Sequence, residues 1–183
     1  TDQVKALTSA QLNALASTQV GAIETEDLAA LSTSQIAKLA SDTVAMLSTD
    51  QIVALSTAQV ASLTSAQMAA MDSSQISAIE TEDIAALTTA QLAKLDTLAV
   101  SRLSTDQVVA LSTAQIKALT SSQLNALSSD QLAAIETADI AALTTSQISK
   151  LASASVALLS TDQIVALGTA QIASMSSSQT AAL

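Results

Sequence analysis

One eight-residue phrase repeats without interruption from residue 8 to residue 183, which gives 22 copies in a chain of 183 residues. The phrase reads Ser/Thr, Ser/Thr, any residue, Gln, Ile/Leu/Val, a small residue, Ala and Leu, as in STDQIVAL at 48–55. We call each copy an octad and number its positions from 1 to 8. Repeat proteins grow by adding units and not by enlarging one core, so we expect a single repeat array over residues 1–183.

The period of the octad argues against one long helix. Each residue of an α-helix turns by about 100°, so one octad advances about 80° beyond two full turns. The apolar positions would therefore wind around a continuous helix, and no constant coiled-coil seam would form. The sequence favours a chain that is interrupted once in every octad.

Each octad carries its own signal for the start of a helix. Ser48 suits the N-cap, and Gln51 falls at the third helical position, where the two residues can form a capping box. Leu47 and Ile52 occupy the two positions of a hydrophobic staple. The same pairs recur as caps at Ser56 with Gln59 and at Thr88 with Gln91, and as apolar partners at Leu55 with Val60 and at Leu87 with Leu92. The pattern predicts one very short helix in each octad.

These features predict an all-α solenoid, a superhelix of very short helices whose apolar side chains at positions 5 and 8 face inward. The alternative is a β-solenoid, which also tolerates short strict repeats. Positions 5 and 8 would point to opposite faces of a strand. The two glycines and the absence of proline also provide few turn residues for so many corners. Both arguments favour the helical architecture.

A second, 56-residue period of seven octads lies on top of the first. ETEDLAAL at 24–31 returns as ETEDIAAL at 80–87 and as ETADIAAL at 136–143. The repeat divides the chain into blocks 24–79 and 80–135 and a partial block 136–183. Duplication of a block explains this period. The second interpretation is that seven octads make two coils of three and a half helices, which would bring equivalent segments to the same side.

Composition excludes several classes of function. The 16 acidic and 6 basic side chains give a net charge of −10, which disfavours binding to nucleic acid or anionic lipid. Polar residues interrupt every apolar run well before the roughly 18 residues that a membrane span requires. The chain has no His and no Cys, so its hydroxyl groups lack the usual neighbouring base of a nucleophile. We therefore expect no enzymatic activity and no cofactor.

Two groups of polar residues are candidate binding sites. Acidic residues supply the oxygen ligands that Ca²⁺ prefers, and the weak calcium candidates are Glu24, Glu26, Asp27, Glu80, Glu82 and Asp83. Acidic residues also suit the first turn of a helix, so we favour that role and expect no metal site. Rows of Ser and Thr form the second group. They could bind an ordered surface such as ice or a glycan, although helix capping accounts for most of them.

The phrase Ser/Thr-x-x-Gln-Ile-x-Ala-Leu resembles the Ala/Ser/Thr-rich short repeats of very long bacterial surface and secreted proteins of the adhesin type. This resemblance implies an extracellular or cell-surface role as a stalk or adhesive segment. We expect a structural array that spaces other domains, with self-association or a surface glycan as its partners. The alternative function is a binding module that uses a Ser/Thr-rich or acidic face.

Overall fold

The computed structural model describes residues 2–183, and these residues form 23 short α-helices and no β-strand. The all-α prediction is confirmed, and the β-solenoid alternative is wrong. The helices have four to six residues, as Thr89–Leu92 and Thr57–Ser62 illustrate. Such helices are too short to be stable in isolation, so their stability depends on packing against neighbours.

Contacts divide the chain into two compact units, Thr1–Leu95 (unit 1) and Asp96–Leu183 (unit 2), which we describe separately. Unit 1 contains α1 (Asp2–Ala6), α2 (Ser9–Asn13), α3 (Ser17–Gly21), α4 (Thr25–Ala29), α5 (Thr33–Ala37), α6 (Ser41–Ala45), α7 (Thr49–Val53), α8 (Thr57–Ser62), α9 (Ser65–Ala70), α10 (Ser73–Ala78), α11 (Thr81–Ala86) and α12 (Thr89–Leu92). Unit 2 contains α13 (Thr97–Ser101), α14 (Thr105–Val109), α15 (Thr113–Ala118), α16 (Ser121–Ala126), α17 (Ser129–Ala134), α18 (Thr137–Ala142), α19 (Thr145–Ser149), α20 (Ser153–Val156), α21 (Thr161–Ala166), α22 (Thr169–Ala173) and α23 (Ser177–Thr180).

The corners between helices are built from ordinary extended residues. Ser56 precedes α8 with φ −71° and ψ 157°, and Leu63 follows it with φ −58° and ψ 137°. No residue of the described chain, glycine or not, has a positive φ. The corners therefore need no left-handed residue, which explains how an array with two glycines and no proline can turn after every octad.

The core consists of the apolar residues at positions 5 and 8. Ile52, Leu55 and Val60 are at most 4% exposed, and Leu47, Leu87 and Leu92 are also buried. Side chains three positions apart lie on the same side of a helix, so one octad presents both apolar side chains to the interior. Each fully buried aliphatic side chain contributes about 1.5–3 kcal/mol relative to an exposed one.

Most helices pack against the helix three places along the chain, so the chain coils. In unit 1, α6 lies against α9 and α8 lies against α11; in unit 2, α14 lies against α17 and α18 lies against α21. Hydrogen bonds also join side chains to the helix four places back. Gln51 in α7 donates to Val20 O in α3, and it also donates to Ile23 O, which follows α3 and is 28 residues earlier. One coil therefore takes between three and four helices. The 28 residues between Gln51 and Ile23 correspond to three and a half octads. This number agrees with the interpretation that seven octads make two coils.

Candidate functional site

The glutamine at position 4 makes hydrogen bonds within its octad and to the preceding coil. In α9, Gln67 Oε1 accepts a bond of 2.6 Å from the Thr64 N–H, and Thr64 Oγ1 accepts one of 3.2 Å from the Gln67 N–H. Gln67 Nε2 donates to Ile36 O and to Leu39 O, both at 2.8 Å. The side chain is only 1% exposed. One residue thus starts its helix and joins it to the coil below, and we call this arrangement the glutamine clamp.

The glutamine clamp recurs in both units with the same spacing. In each case Nε2 donates to the carbonyl oxygen 28 residues earlier at 2.6–2.9 Å. The clamp residues are Gln35, Gln51, Gln59, Gln67, Gln75 and Gln91 in unit 1 and Gln131, Gln147, Gln163, Gln171 and Gln179 in unit 2. A buried amide or carbonyl without a partner costs about 1–3 kcal/mol, so these bonds are important for the packing of coils.

The cap residues proposed from the sequence lie at helix starts and make local bonds. The hydroxyl oxygens of Ser48, Ser56 and Thr88 accept bonds of 3.2–3.4 Å from the N–H groups of the glutamines at position 4 of the same octads. Sequence reasoning missed the second half of the arrangement, the Nε2 bonds to another coil. The available signal was the choice of residue: position 4 is Gln in 16 of the 22 octads and never Glu. Glu also closes a capping box, but only an amide has N–H groups to donate.

Two octads without the glutamine are held by an asparagine from another coil. In octad 40–47, Ala40 replaces the capping hydroxyl and Thr43 replaces the glutamine. Asn13 Oδ1 accepts bonds from the Ala40 N–H at 2.7 Å and from Thr43 Oγ1 at 3.3 Å. Asn13 Nδ2 donates to Lys38 O at 3.1 Å. Asn13 thus supplies from the preceding coil the acceptor that a position 4 glutamine supplies from within its own octad.

The same arrangement occurs in unit 2. Asn125 Oδ1 accepts from the Ala152 N–H at 2.8 Å and from Ser155 Oγ at 3.3 Å, and Nδ2 donates to Lys150 O at 3.0 Å. Asn13 and Asn125 are the only two asparagines in the sequence. The equivalent octad of the intervening block, 96–103, also lacks the glutamine at position 4, but its helix is capped by a residue of its own. Its N-cap is Asp96, whose carboxylate accepts a bond of 2.6 Å from the Ala99 N–H.

The calcium candidates lie in or next to the first turns of α4 and α11. Glu24, Glu26, Glu80 and Glu82 are exposed, whereas Asp83 is only 3% exposed. Within the part of the chain that the structure describes, no three His, Cys, Asp or Glu residues form a group that could hold a metal ion. Acidic residues at these positions interact favourably with the partial positive charge of a helix N-terminus. Nor does any helix of residues 2–183 have the length and apolarity needed to cross a membrane.

Comparison with known proteins identifies the family. The family model of the ALTTAQ repeat matches residues 20–57, 52–78, 76–113, 108–134 and 132–169, which together make up well over half of the chain. The chain belongs to the ALTTAQ repeat family. The letters of the ALTTAQ repeat stand unchanged at Ala86–Gln91, which includes the cap Thr88 and the clamp residue Gln91. No curated protein and no solved structure matches the chain.

The matches to the ALTTAQ repeat follow the 56-residue period. Three of them begin at residues 20, 76 and 132, and the other two begin at 52 and 108. Successive starts within each set are seven octads apart, the interval that we relate to two coils. The assignment to a short-repeat region is thereby confirmed. The link to adhesin-type bacterial proteins stays a prediction.

Proposed function

We propose that this ALTTAQ array is a non-enzymatic spacer or stalk in a larger bacterial extracellular or cell-surface protein. The observation that supports the proposal is the glutamine clamp, because the same bonds join one coil to the next in each unit. A structural repeat of short helices needs such a bond at every level. The length of a spacer can then change without any change in local chemistry.

Stability that comes from neighbouring repeats makes an array extensible. From octad 24–31 to octad 152–159, each octad adds two buried apolar side chains, and the glutamines at position 4 that form clamps add bonds to the coil below. In such a structure the stability is approximately the sum of the contributions of repeats and of their interfaces. Adding or removing whole blocks should therefore leave the rest folded, which is the property that a spacer requires.

The chemistry of the side chains supports a non-enzymatic role. The Ser and Thr hydroxyls at position 1 accept bonds from the helix N-terminus, as Ser48 and Thr88 do. A hydroxyl nucleophile also needs an adjacent base, and the chain contains no His. The extracellular location is supported by the resemblance to adhesin-type repeats. The absence of cysteine is compatible with an oxidising compartment.

Insertion of a block tests the spacer role. A second copy of residues 24–79 placed after residue 79 adds two coils to unit 1. At an interhelical distance of about 8–10 Å, these two coils should lengthen the unit by about 16–20 Å. Small-angle X-ray scattering measures the increase, and the matched control is the same insert with its glutamine clamp residues changed to Ala. An insert that folds but adds no length, or an insert that unfolds unit 1, would contradict the proposal.

The location of the protein requires a separate test. We expect an antibody against the array to label intact source cells. Labelling that appears only after lysis would contradict the extracellular assignment and leave the spacer role unaffected. Self-association also stays a prediction, and sedimentation velocity over a range of protein concentrations measures it directly.

A further inference from the structure

Octad 80–87 in unit 1 and octad 136–143 in unit 2, which we call the acidic octads, start their helices without a side-chain cap. Both have Glu at position 1 and Asp at position 4. Their N-cap residues, Glu80 and Glu136, make no side-chain cap bond. Elsewhere a cap such as Ser48 accepts an N–H of the first turn. The acidic octads therefore lack one of the polar contacts that specify a helix start.

Position 4 of the acidic octads is buried but has no donor for a clamp. Asp83 is 3% exposed and Asp139 is 6% exposed. An ionised carboxylate accepts hydrogen bonds and has no N–H group. Neither side chain can therefore donate to the carbonyl oxygens of the preceding coil, as Gln67 does. The acidic octads are packed on the coil below without a glutamine clamp.

The apolar packing and the backbone bonds of the acidic octad in unit 1 match those of an ordinary octad, 56–63. Ile84 and Val60, which occupy position 5 of these two octads, are both 0% exposed. The Ile84 N–H donates to Glu80 O and the Val60 N–H donates to Ser56 O, each at 2.9 Å. The two octads thus differ in their caps and clamps, and not in the burial of this residue or in its backbone bond.

Unit 2 allows the same comparison with the coil above taken into account. That coil is bonded to the acidic octad by Gln171 and to octad 128–135 by Gln163. Octad 128–135 has in addition a clamp residue of its own, Gln131, and the cap Ser128. The two octads therefore differ at the helix start and at the interface with the coil below.

Loss of the glutamine does not by itself deprive an octad of polar contacts at its helix start. Octads 40–47 and 152–159 also lack it, but Asn13 and Asn125 accept the N–H at position 1 of these octads. In a third such octad, Asp96 is the cap. The acidic octads have Glu at position 1, which makes no such bond.

An acidic first turn does not require the loss of cap and clamp. Octad 48–55 has Asp50 at position 3, and it keeps both the cap Ser48 and the clamp residue Gln51. The helix N-terminus favours a carboxylate in this octad as well. The acidic octads therefore lack two polar contacts that the same fold accommodates next to an acidic residue.

Missing polar contacts make the local opening of an octad easier. A folded protein opens in separate segments, and the segments with the weakest contacts open most often. The absence of a cap and of the clamp bonds should together make opening about ten- to a hundredfold more frequent. We propose that the acidic octads are built-in opening points, at which each unit opens before its clamped octads do.

Opening points give a spacer a way to lengthen under tension. A fully extended octad spans at most about 26–29 Å. Opening one acidic octad therefore lengthens its unit while the clamped octads stay folded. This consequence rests on the proposed spacer role, whereas the opening points themselves follow from the missing bonds.

Native-state hydrogen exchange of backbone amides in the full chain tests the opening points. Nuclear magnetic resonance compares Ile84 with Val60 in unit 1 and Ile140 with Leu132 in unit 2, because the two residues of each pair are equally buried. After correction for the intrinsic rate of each amide, Ile84 should exchange about ten- to a hundredfold faster than Val60. The same factor should separate Ile140 from Leu132.

Two variants establish the cause of the difference. The restored variant carries Glu80→Ser and Asp83→Gln, which supply a cap and a clamp residue. Exchange at Ile84 should slow by about ten- to a hundredfold in this variant. The charge control carries Glu26→Gln and Glu82→Gln at exposed positions, so it also loses two negative charges. Exchange at Ile84 should be unchanged in the control.

Equal exchange within either pair of the original chain, no slowing in the restored variant, or the same slowing in the charge control would overturn the proposal. If circular dichroism shows that the restored variant is not helical, Ser56→Glu with Gln59→Asp replaces it. These changes should create an opening point and speed exchange at Val60, and unchanged exchange there would also overturn the proposal. None of these outcomes concerns the length that an inserted block adds, so this test is separate from that of the spacer role.

Discussion

Octads 64–71 and 40–47 make equivalent helix starts with side chains from opposite directions. In octad 64–71, Gln67 accepts the Thr64 N–H and reaches back to the carbonyl oxygens of the preceding coil. In octad 40–47, where position 4 is Thr43, Asn13 reaches forward from the preceding coil and accepts the Ala40 N–H. In both octads an amide oxygen accepts the N–H of the residue at position 1, and this oxygen can come from the same octad or from the preceding coil. The bonds to the two carbonyl oxygens of the preceding coil are made by Gln67, whereas Asn13 donates to Lys38 O.

The comparison also explains which substitutions the array tolerates. Gln67 is buried and serves two coils, whereas two of the three residues that Asn13 serves, Ala40 and Lys38, are exposed and only Thr43 is buried. Water can replace a lost partner at an exposed group but not at a buried one. The predictions below follow this difference from the largest expected effect to the smallest.

Gln67→Glu should have the largest effect. The substitution removes both Nε2 donors and places a carboxylate next to the carbonyl oxygens of Ile36 and Leu39. An uncompensated buried charge costs about 3–5 kcal/mol, so the free energy of unfolding should fall by that amount at neutral pH. Chemical denaturation measures the change.

Gln11→Glu is the matched control for this substitution. Gln11 makes the same local bond to the Thr8 N–H, at 2.8 Å, but its side chain is exposed. Glu preserves a capping box, so the expected change is within about 0.5 kcal/mol. Equal effects at Gln11 and Gln67 would contradict the distinction between helix start and clamp.

Asn13→Ala should have an intermediate effect. It removes the bonds to Ala40, Thr43 and Lys38, and water provides partial replacement at the exposed backbone groups of Ala40 and Lys38. We expect a loss of about 1–2 kcal/mol in the free energy of unfolding. Thr43→Gln in the same molecule should restore most of it, because the new glutamine can accept the Ala40 N–H from within its own octad. Failure of this second substitution to restore stability would show that the two arrangements are not equivalent.

Asp83→Gln should stabilise the protein. Asp83 is buried at position 4, and the 28-residue spacing of the clamp places Leu55 O as the acceptor for an amide there. A carboxylate has no N–H to donate, whereas a glutamine would add a clamp with a net contribution of about 0.5–1.5 kcal/mol. Asp50→Gln, at an exposed position 3, is the control and should leave the midpoint of denaturation unchanged. A lower midpoint for Asp83→Gln would indicate that the octad requires its carboxylate.

Thr57→Ser should have the smallest effect on stability. Thr57 is exposed at octad position 2, where Ser also occurs. An exposed substitution of this kind changes the free energy of unfolding by about 0.5 kcal/mol or less. Thermal denaturation followed by circular dichroism is sufficient to check it. A larger loss would mean that threonine itself is required at this position for folding.

The sequence allowed prediction of the local structure but not of the bonds between coils. Ser48, Gln51, Leu47 and Ile52 interact within one or two turns, so their spacing alone specifies the helix start. The partners of Gln67 Nε2 lie 28 and 31 residues away, and identifying them requires the number of helices in a coil. The 56-residue period contained that information, but duplication explained it equally well. Asn13 and Asn125 gave no local pattern because each one serves an octad on the next coil.

Exchange of the glutamine side-chain amide protons with solvent tests the glutamine clamp most directly. Both Nε2 protons of Gln67 are bonded to buried carbonyl oxygens, whereas the side chain of Gln11 is exposed. Nuclear magnetic resonance of the full chain should show slow exchange for the Gln67 amide and rapid exchange for the Gln11 amide. Equally rapid exchange at both residues, in a chain that remains helical, would contradict the conclusion that glutamine joins the coils.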